Sequence, residues 1–214
     1  MPGRDLPDLS QEEFSHQLAQ VAPREIGQAA VSALYAHYQE LRRWNRSVSL
    51  VGPGTVGEVL ARHYGESLAA LPLIAPACRH LIDVGSGAGF PGLVLAAVLP
   101  GVEATLIEAR ERKWAFLQAA ARRAALPVSC LNARVGPSLP RGLPRRADLV
   151  TARALKLPSG LLAALAERLS PGGQILLWVG GEAPDPPAGW ERGEEQRLPG
   201  SARRRIIEFR RAGS

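Results

Sequence analysis

The sequence has little cysteine and no long apolar run, and each absence excludes a class of protein. Two cysteines, Cys78 and Cys130, are too few for a disulfide framework, and no cysteine or histidine spacing suggests a zinc site. No apolar run approaches the roughly 20 residues that span a bilayer. The first residues, MPGRDLPDLSQEEF, also lack the apolar core of a signal peptide. We therefore expect a cytoplasmic protein.

Lysine is almost missing, although the chain is basic. Only Lys113 and Lys156 are lysines among 26 basic residues, and the formal net charge is +6. Such a surface can bind nucleic acid, but a GC-rich genome can also encode arginine wherever positive charge is tolerated. Composition leaves both interpretations open. The arginines form three clusters: Arg42, Arg43 and Arg46; Arg141, Arg145 and Arg146; Arg203, Arg204 and Arg205.

The first part of the chain, residues 1–75, has the pattern of helices. Ser10 and Glu13 have the spacing of a capping box at the start of a short helix. A longer amphipathic helix ends where NRSVSLVGPG breaks the apolar spacing. Thr55 and Glu58 repeat the capping-box spacing and predict a third helix. We expect this helical region to pack on the core of the protein.

From residue 80 onward, strand and helix patterns alternate. The predicted strands are HLIDV, EATLIEA, PVSCL, ADLVTARA and QILLWV, with helices over PGLVLAAVLP, RERKWAFLQAAARRAAL and SGLLAALAERL. This alternation predicts an α/β domain over residues 76–214, with a mostly parallel sheet and helices on both faces. We expect SPGG to end the last helix, GGEAPDPPAGWERGEE to be a loop and RRRIIEF to be a final antiparallel strand.

The stretch LIDVGSGAGFPG places a glycine-rich loop directly after the first strand, where open parallel sheets bind their ligands. It lacks the G-K-[ST] ending of a nucleoside-triphosphate loop. Gly87, Gly89 and Gly92 fit the dinucleotide pattern G-x-G-x-x-G, whereas counting from Gly85 gives G-x-G-x-G preceded by an acid. We expect Asp83 at the mouth of the site, where it would repel a pyrophosphate. The second pattern suits a ligand with a cationic centre and no phosphates.

S-adenosylmethionine is such a ligand. It carries an ammonium and a sulfonium, and its carboxylate can accept hydrogen bonds from the loop and the helix start. Its ribose needs an acceptor at the end of the next strand. Glu108 closes EATLIEA about 20 residues after the glycines, where a ribose-binding acid belongs. Alone, Glu108 would be interpreted as a surface acid, but with this loop and strand order we expect it to bind the ribose.

The chain resembles the bacterial small-subunit rRNA methyltransferase G family, also called glucose-inhibited division protein B. The similar stretches are ELRRWNRSVSL, RHYGESL, IDVGSGAGFPG, ERKWAFL and TARA. The resemblance implies a Rossmann-like class I methyltransferase fold, S-adenosylmethionine as cofactor and a guanine N7 of 16S ribosomal RNA as target. It also implies that the partner is 16S rRNA or the small ribosomal subunit, and we expect a monomer. By resemblance the family's cofactor positions are Gly85, Phe90, Val135, Gly136 and Arg153.

The sequence departs from the family pattern at several positions. Ser49 and Val51 stand where asparagine and threonine are usual, and Glu108 stands where aspartate is common. Gly136 replaces an acid expected beside the adenine, and Val179 replaces a lysine after the fifth strand. The last two changes keep open an alternative function, a methyltransferase-like domain that binds RNA or protein without transferring a methyl group. A dinucleotide oxidoreductase is a more distant alternative.

The available side chains narrow the chemistry. Methylation of cytosine C5 needs a cysteine nucleophile, but Cys78 and Cys130 have the sequence environment of small core residues. Residues 185–188, DPPA, lack the aromatic of an amine-methylating motif and follow the wrong strand, so a proline-rich loop is the better interpretation. Guanine N7 has an in-plane lone pair and needs no proton removed. Transfer to N7 therefore reduces to positioning the reactants.

Three further side chains each have a functional and a structural interpretation. Arg153, the one residue that we predict to act in catalysis, could bind the cofactor carboxylate or an RNA phosphate, or could form an ion pair with Asp83 or Glu108. His63 could face the core or contact RNA. Trp44 could belong to the helix core or stack on a base. If the helical N-terminal region and the loop of the second arginine cluster flank the site, we expect them to bind RNA phosphates.

Overall fold

A seven-stranded sheet forms the centre of the computed structural model, which describes residues 5–136, 138–154 and 157–213. The strand order is β3-β2-β1-β4-β5-β7-β6. The first five strands pair in parallel, and β7 pairs antiparallel with both β5 and β6. The strands are β1 (His80–Val84), β2 (Glu103–Glu108), β3 (Val128–Asn132), β4 (Ala147–Arg153), β5 (Leu169–Val179), β6 (Trp190–Arg197) and β7 (Arg205–Arg211).

Helices lie on both faces of this sheet, as the alternating pattern predicts. The α-helices are α1 (Gln11–Val21), α2 (Gln28–Asn45), α3 (Glu66–Leu68), α4 (Gly92–Val98), α5 (Glu111–Arg123) and α6 (Ser159–Ala166). Two 3-10 turns cover Pro53–Glu58 and Leu71–Leu73, and a π-helical turn covers Leu60–Gly65. No helix in the described part of the chain is long and apolar enough to cross a membrane.

The buried side chains form two hydrophobic clusters because neighbouring residues of each strand face opposite sides of the sheet. In β1, Leu81 belongs to the first cluster and Ile82 to the second. The first cluster contains Leu34 of α2 and Phe116 of α5, both fully buried. The second covers the other face with α6, where Leu162 is fully buried. The N-terminal helices therefore share one core with the sheet.

The two predicted capping boxes have different outcomes. At the start of α1, Ser10 Oγ accepts a hydrogen bond from Glu13 N, and Glu13 Oε2 accepts one from Ser10 N. The second prediction is wrong, because a 3-10 turn covers Thr55 and Glu58. Thr55 Oγ1 instead donates to Gly52 O over 3.2 Å. Glycines and a proline surround Thr55, and their low helix propensity favours the tighter turn.

Two predicted segment boundaries are also wrong. The SPGG stretch lies inside β5, where the register shifts relative to β4 between Ala147 and Leu149. The second half of the predicted loop forms most of β6, an edge strand with the sequence WERGEEQR. Glycine and glutamate, which make up half of this strand, have low strand propensity. Pairing with β7 therefore determines this strand, and no local pattern reveals it. The prediction that β7 is antiparallel is confirmed.

Candidate active site at the carboxyl edge of the sheet

A cavity of about 630 Å³ opens where β1, β2 and β4 end. This is the edge at which open parallel sheets bind ligands, and the volume is in the usual range for small molecules. Asp83 and Gly89 do not line the cavity. The other seven predicted site residues line it: Gly85, Gly87, Phe90, Glu108, Val135, Gly136 and Arg153.

The glycine loop is fixed to the end of β2 by backbone hydrogen bonds. The amides of Gly85 and Ser86 donate to Ile107 O over 2.9 and 3.0 Å. Gly87 has a φ of +56°, a left-handed backbone conformation that residues with a Cβ atom rarely adopt. The nearest atom to an added Cβ would be Gly85 O at 3.7 Å. Gly87 is therefore needed for its backbone conformation, and the space above it is open to a ligand.

Glu108 joins this loop to the segment that follows β2. Its Oε2 accepts a hydrogen bond from Gly87 N over 3.0 Å, and its Oε1 accepts one from Arg110 N over 2.8 Å. The residue is 8% exposed, and its side chain borders the cavity. Glu108 is therefore not an ordinary surface acid. Each carboxylate oxygen retains a second lone pair for a ligand.

Asp83 lies beneath the loop, so the prediction that it sits at the mouth of the site is wrong. The residue is fully buried, and Thr151 Oγ1 donates to Asp83 Oδ1 over 2.6 Å. Burial raises the pKa of Asp83 to about 6, while the hydrogen bonds from Thr151 and Ser86 oppose this shift. A Cβ added to Gly92 would lie 2.5 Å from Asp83 Cβ. The close approach of α4 to β1 therefore requires glycine at position 92.

Gly89 also supports the loop from outside the cavity. It has a φ of +84°, and its amide donates to Ser86 O over 2.7 Å. A Cβ at this position would lie 3.0 Å from Leu93 Cβ and 3.2 Å from His37 Nε2. Gly89 thus permits the close packing of the loop against α2 and α4.

His37 of α2 holds the loop from the N-terminal side, a role that sequence analysis missed. Its Nε2 donates to Ala88 O over 2.9 Å, which leaves Nδ1 to accept from Tyr64 Oη over 2.7 Å. Burial lowers the pKa of His37 to about 4, so the ring is neutral near pH 7. The only sequence signal was a histidine at a core-facing position of a helix.

Phe90 and His63 form an aromatic wall of the cavity. Their rings stack with centroids 5.0 Å apart and an angle of 29° between planes. His63 Nε2 also forms a 3.0 Å hydrogen bond with Thr55 Oγ1. Burial, together with the positive charges of Arg153 and Arg62, lowers the pKa of His63 to about 3. His63 is therefore a neutral ring at the cavity, and this position is compatible with either of its predicted roles.

Arg153 ends β4 at the cavity, and its ion-pair partner differs from the two considered in the sequence. Its Nη2 donates to Glu66 Oε2 and to Arg62 O, each over 2.6 Å. Its Nη1 is buried and has no hydrogen-bond partner among the described residues. The carboxylate of Glu66 therefore positions the guanidinium and leaves one of its nitrogens uncommitted.

The loop after β3 closes the cavity with Val135 and Gly136. An added Cβ at Gly136 would meet no atom within 4 Å, so nothing in the described surroundings demands glycine there. Val179 lines a neighbouring cavity rather than this one. Burial raises the pKa values of Cys78 and Cys130 to about 11, which keeps both thiols protonated and argues against a cysteine nucleophile.

The end of α2 shapes the entrance of the cavity. Asn45 Oδ1 accepts hydrogen bonds from Leu50 N and Val51 N over 3.0 and 2.8 Å, and Leu50 lines the cavity. Trp44 is half-buried against the core, and its ring centroid lies 6.1 Å from that of Phe116, which supports its assignment to the helix core. In the sequence, Asn45 was part of the similar stretch ELRRWNRSVSL, and no function was assigned to it.

The first two arginine clusters do not border this cavity. Ion pairs join Arg42 to Asp8, Arg43 to Glu40 and Arg46 to Asp5. Arg145 and Arg146 precede the amino end of β4, whereas the cavity lies at its carboxyl end, a strand length of roughly 20 Å away. The expectation is therefore wrong for Arg145 and Arg146, although the connection from β3 to β4 begins at the cavity with Val135 and Gly136. The connection between two parallel strands starts at the carboxyl edge of the sheet and must return to the amino edge before the next strand begins.

The profile of the family described as rRNA small subunit methyltransferase G matches residues 30–186. The chain belongs to this family. It is 39% identical over 160 residues to "Ribosomal RNA small subunit methyltransferase G" of Paramagnetospirillum magneticum, covering 75% of this chain and 76% of that protein. The protein of the same name from Myxococcus xanthus is 35% identical over 202 residues, which cover 92% of both chains.

Solved structures support the fold. MtNAS in complex with S-adenosylmethionine superposes with a TM-score of 0.58 at 12% identity, over 94% of this chain and 77% of that chain. TrmN from Thermus thermophilus superposes with a TM-score of 0.52 at 19% identity, over 71% and 53% of the two chains. The predicted family, Rossmann-like class I fold and cofactor are confirmed. The protein is an S-adenosylmethionine-dependent rRNA methyltransferase.

Proposed function

We propose that this protein methylates N7 of a guanine in 16S rRNA, on the small ribosomal subunit or its RNA. The observation that carries the proposal is the position of Glu108, which binds the glycine loop and borders the cavity with unused lone pairs. Relatives named as small-subunit methyltransferases support the RNA target. A protein that modifies ribosomal subunits would act in the bacterial cytoplasm. We also propose that it acts as a monomer.

The residues around the cavity fit S-adenosylmethionine. Glu108 can accept hydrogen bonds from both ribose hydroxyls through its remaining lone pairs. Gly85 and Gly87 line the cavity without side chains, which lets a ligand approach the backbone of the loop closely. Phe90 supplies an aromatic surface, which attracts cations such as a sulfonium. Val135 and Gly136 of the loop after β3 would border the adenine.

Asp83, Gly89 and Arg153 have supporting roles in this proposal. Asp83 and Gly89 hold the shape of the loop from below, since neither lines the cavity. Arg153 lines it and would interact with the cofactor or with the RNA. We retain the division of the chain into residues 1–75 and 76–214 as a proposal, with the first part completing the loop's support through His37.

The chemistry requires little from ionisable side chains. Bound S-adenosylmethionine supplies an activated methyl group, and the N7 lone pair forms the new N–C bond while the S–C bond pair returns to sulfur. His37 and His63 are neutral near pH 7, so neither supplies a proton. The protein's contribution is then to align the two reactants, an effect that reaches roughly 7–11 kcal/mol in the best oriented cases.

The test is methyl transfer to small ribosomal subunits prepared from cells that lack this activity, followed by mapping of the modified base. We expect a single 7-methylguanine in 16S rRNA with wild-type protein and none with a Gly87→Val variant. Thermal-shift measurements with S-adenosylmethionine, its demethylated product and NAD would show which ligand binds. Stabilisation by S-adenosylmethionine without transfer to any rRNA would instead support the non-catalytic alternative.

A further inference from the structure

Glu66 binds three arginines that come from distant parts of the chain. Its Oε1 accepts hydrogen bonds from Arg62 Nε over 3.1 Å and Arg204 Nε over 2.9 Å, and its Oε2 accepts one from Arg153 Nη2 over 2.6 Å. Glu66 is 2% exposed, so the carboxylate lies inside and the guanidiniums surround it. We call these four residues the Glu66 cluster.

The outer side of the Glu66 cluster has uncompensated positive charge. Arg62 and Arg204 share a single carboxylate oxygen, and their side chains are 29% and 27% exposed. Within the described part of the chain, the two terminal nitrogens of Arg204 have no hydrogen-bond partner. Arg62 has one other acid nearby, Glu58 at 3.7 Å, which is 65% exposed and therefore well screened by water.

The inner side of the cluster is closer to neutral. Arg153 also interacts with the buried Asp83, whose negative charge offsets it from below. His63 lies beside Arg62 and Arg153 and stays uncharged near pH 7. The free positive charge is therefore confined to the exposed guanidiniums of Arg62 and Arg204.

The Glu66 cluster lies between two cavities. Arg153 lines the first cavity, and a second cavity of about 630 Å³ shares Ala154 with it. Trp178 of the second cavity donates from Nε1 to Glu66 O over 2.7 Å. A Cβ on Gly180, also in that cavity, would lie 3.9 Å from Arg204 Cγ. An RNA chain that delivers a base to this edge would therefore bring its backbone past the cluster.

We propose that Arg62 and Arg204 together bind one backbone phosphate of the rRNA next to the target guanine. Guanidinium groups suit phosphate because their planar donors match its oxygens in pairs. Glu66 engages the Nε atom of each arginine, and this leaves their terminal nitrogens for the phosphate. The inference rests on the proposed function, since it assumes an RNA substrate.

The experiment compares Arg204→Gln with Arg203→Gln in full-length protein. Both variants lose one positive charge from the same segment, but Arg203 is exposed, and none of the hydrogen bonds described for the Glu66 cluster involves it. The glutamine at position 204 can still donate to Glu66, which limits damage to the fold. Binding of 16S rRNA is measured over a range of salt concentrations, with S-adenosylmethionine affinity, thermal unfolding and methyl transfer measured in parallel.

We expect Arg204→Gln to weaken RNA binding about tenfold and to reduce the slope of log affinity against log salt by about 1, the value for one phosphate contact. Arg203→Gln should leave the slope within experimental error of wild type, and Arg204→Lys should restore most of it. Equal slopes for the two glutamine variants would overturn the inference. Weakened binding of S-adenosylmethionine by Arg204→Gln would also overturn it, because the cluster would then serve the cofactor.

The same measurements separate this inference from the proposed function. If wild-type protein transfers no methyl group to small subunits, the proposed function fails whatever the variants do. If wild type transfers the methyl group and Arg204→Gln matches Arg203→Gln, only the phosphate site fails. A lower unfolding temperature for Arg204→Gln with an unchanged salt slope would assign the cluster a purely structural role.

Discussion

Replacing Glu108 by alanine tests the centre of the proposed cofactor site. The change removes the acceptors of Gly87 N and Arg110 N as well as the proposed acceptor of the ribose hydroxyls. Hydrogen bonds to a charged group contribute roughly 1.5–3 kcal/mol. If the ribose interaction as a whole falls in that range, the dissociation constant of S-adenosylmethionine should rise about 10- to 150-fold.

Two controls distinguish loss of the ribose contact from collapse of the loop. Glu108→Gln keeps one carbonyl acceptor and the length of the side chain, so it should bind the cofactor with intermediate affinity. Glu108→Asp introduces the residue that is common in the family. Because the loop here is built around the longer glutamate, the shorter side chain should lower the affinity for the cofactor. Thermal unfolding without ligand reports the cost of losing the two backbone contacts.

Isothermal titration calorimetry with S-adenosylmethionine and its demethylated product measures these affinities. Both ligands contain the ribose, so Glu108→Ala should weaken them by a similar factor. A change below about threefold, with the unfolding temperature lowered, would refute the ribose assignment. Glu108 would then serve only to tie Gly87 to the end of β2.

Three further predictions concern other parts of the site. Gly87→Val should abolish cofactor binding in calorimetry, because a β-branched residue is strained at φ +56°. The circular dichroism spectrum should stay native, and an unchanged cofactor affinity would show that this loop is not part of the site. The His37 pKa is lowered to about 4 from 6.5, so its stabilising contribution is complete above pH 6.5 and is lost as pH falls towards 4. Denaturant titrations should therefore show His37→Asn losing about 2 kcal/mol less stability than wild type between pH 7 and pH 5, and equal losses would contradict the assignment. Alanine at both Arg145 and Arg146 should leave the methylation rate on small subunits unchanged, because these residues lie at the opposite edge of the sheet; a rate reduced tenfold would show that the RNA reaches that edge.

The parallel half of the fold could be predicted from the sequence because β1, β2, β4 and β5 are largely buried. Runs such as HLIDV are mainly apolar, and the runs that form β1, β2 and β4 are each followed by a helix with a distinct period. The strand β6 could not be predicted, since only Trp190 is buried and most of its residues are polar. Its conformation depends on pairing with β7, a contact that is absent from any local pattern.

The site shows the same division between local and distant information. The position of Glu108 followed from a rule about consecutive strands, and the structure places it at the cavity. The contact between His37 and Ala88 joins residues 51 positions apart, and the contact between Glu66 and Arg204 joins residues 138 positions apart. Neither contact has a spacing that could be read from the sequence. The family resemblance included the stretch RHYGESL, which contains Arg62 and Glu66. It gave no indication that Arg204 completes the Glu66 cluster.

The position of these distant contacts changes how the N-terminal helical region should be understood. His37 of α2 binds the carbonyl of Ala88 in the glycine loop, while Asn45 at the end of the same helix positions Leu50 at the cavity. Glu66 then fixes Arg153 at the end of β4. Residues from this region thus hold the proposed cofactor loop on one side and the proposed phosphate site on the other. The part of the chain before residue 76 therefore contributes directly to the proposed site, and cofactor binding should depend on it.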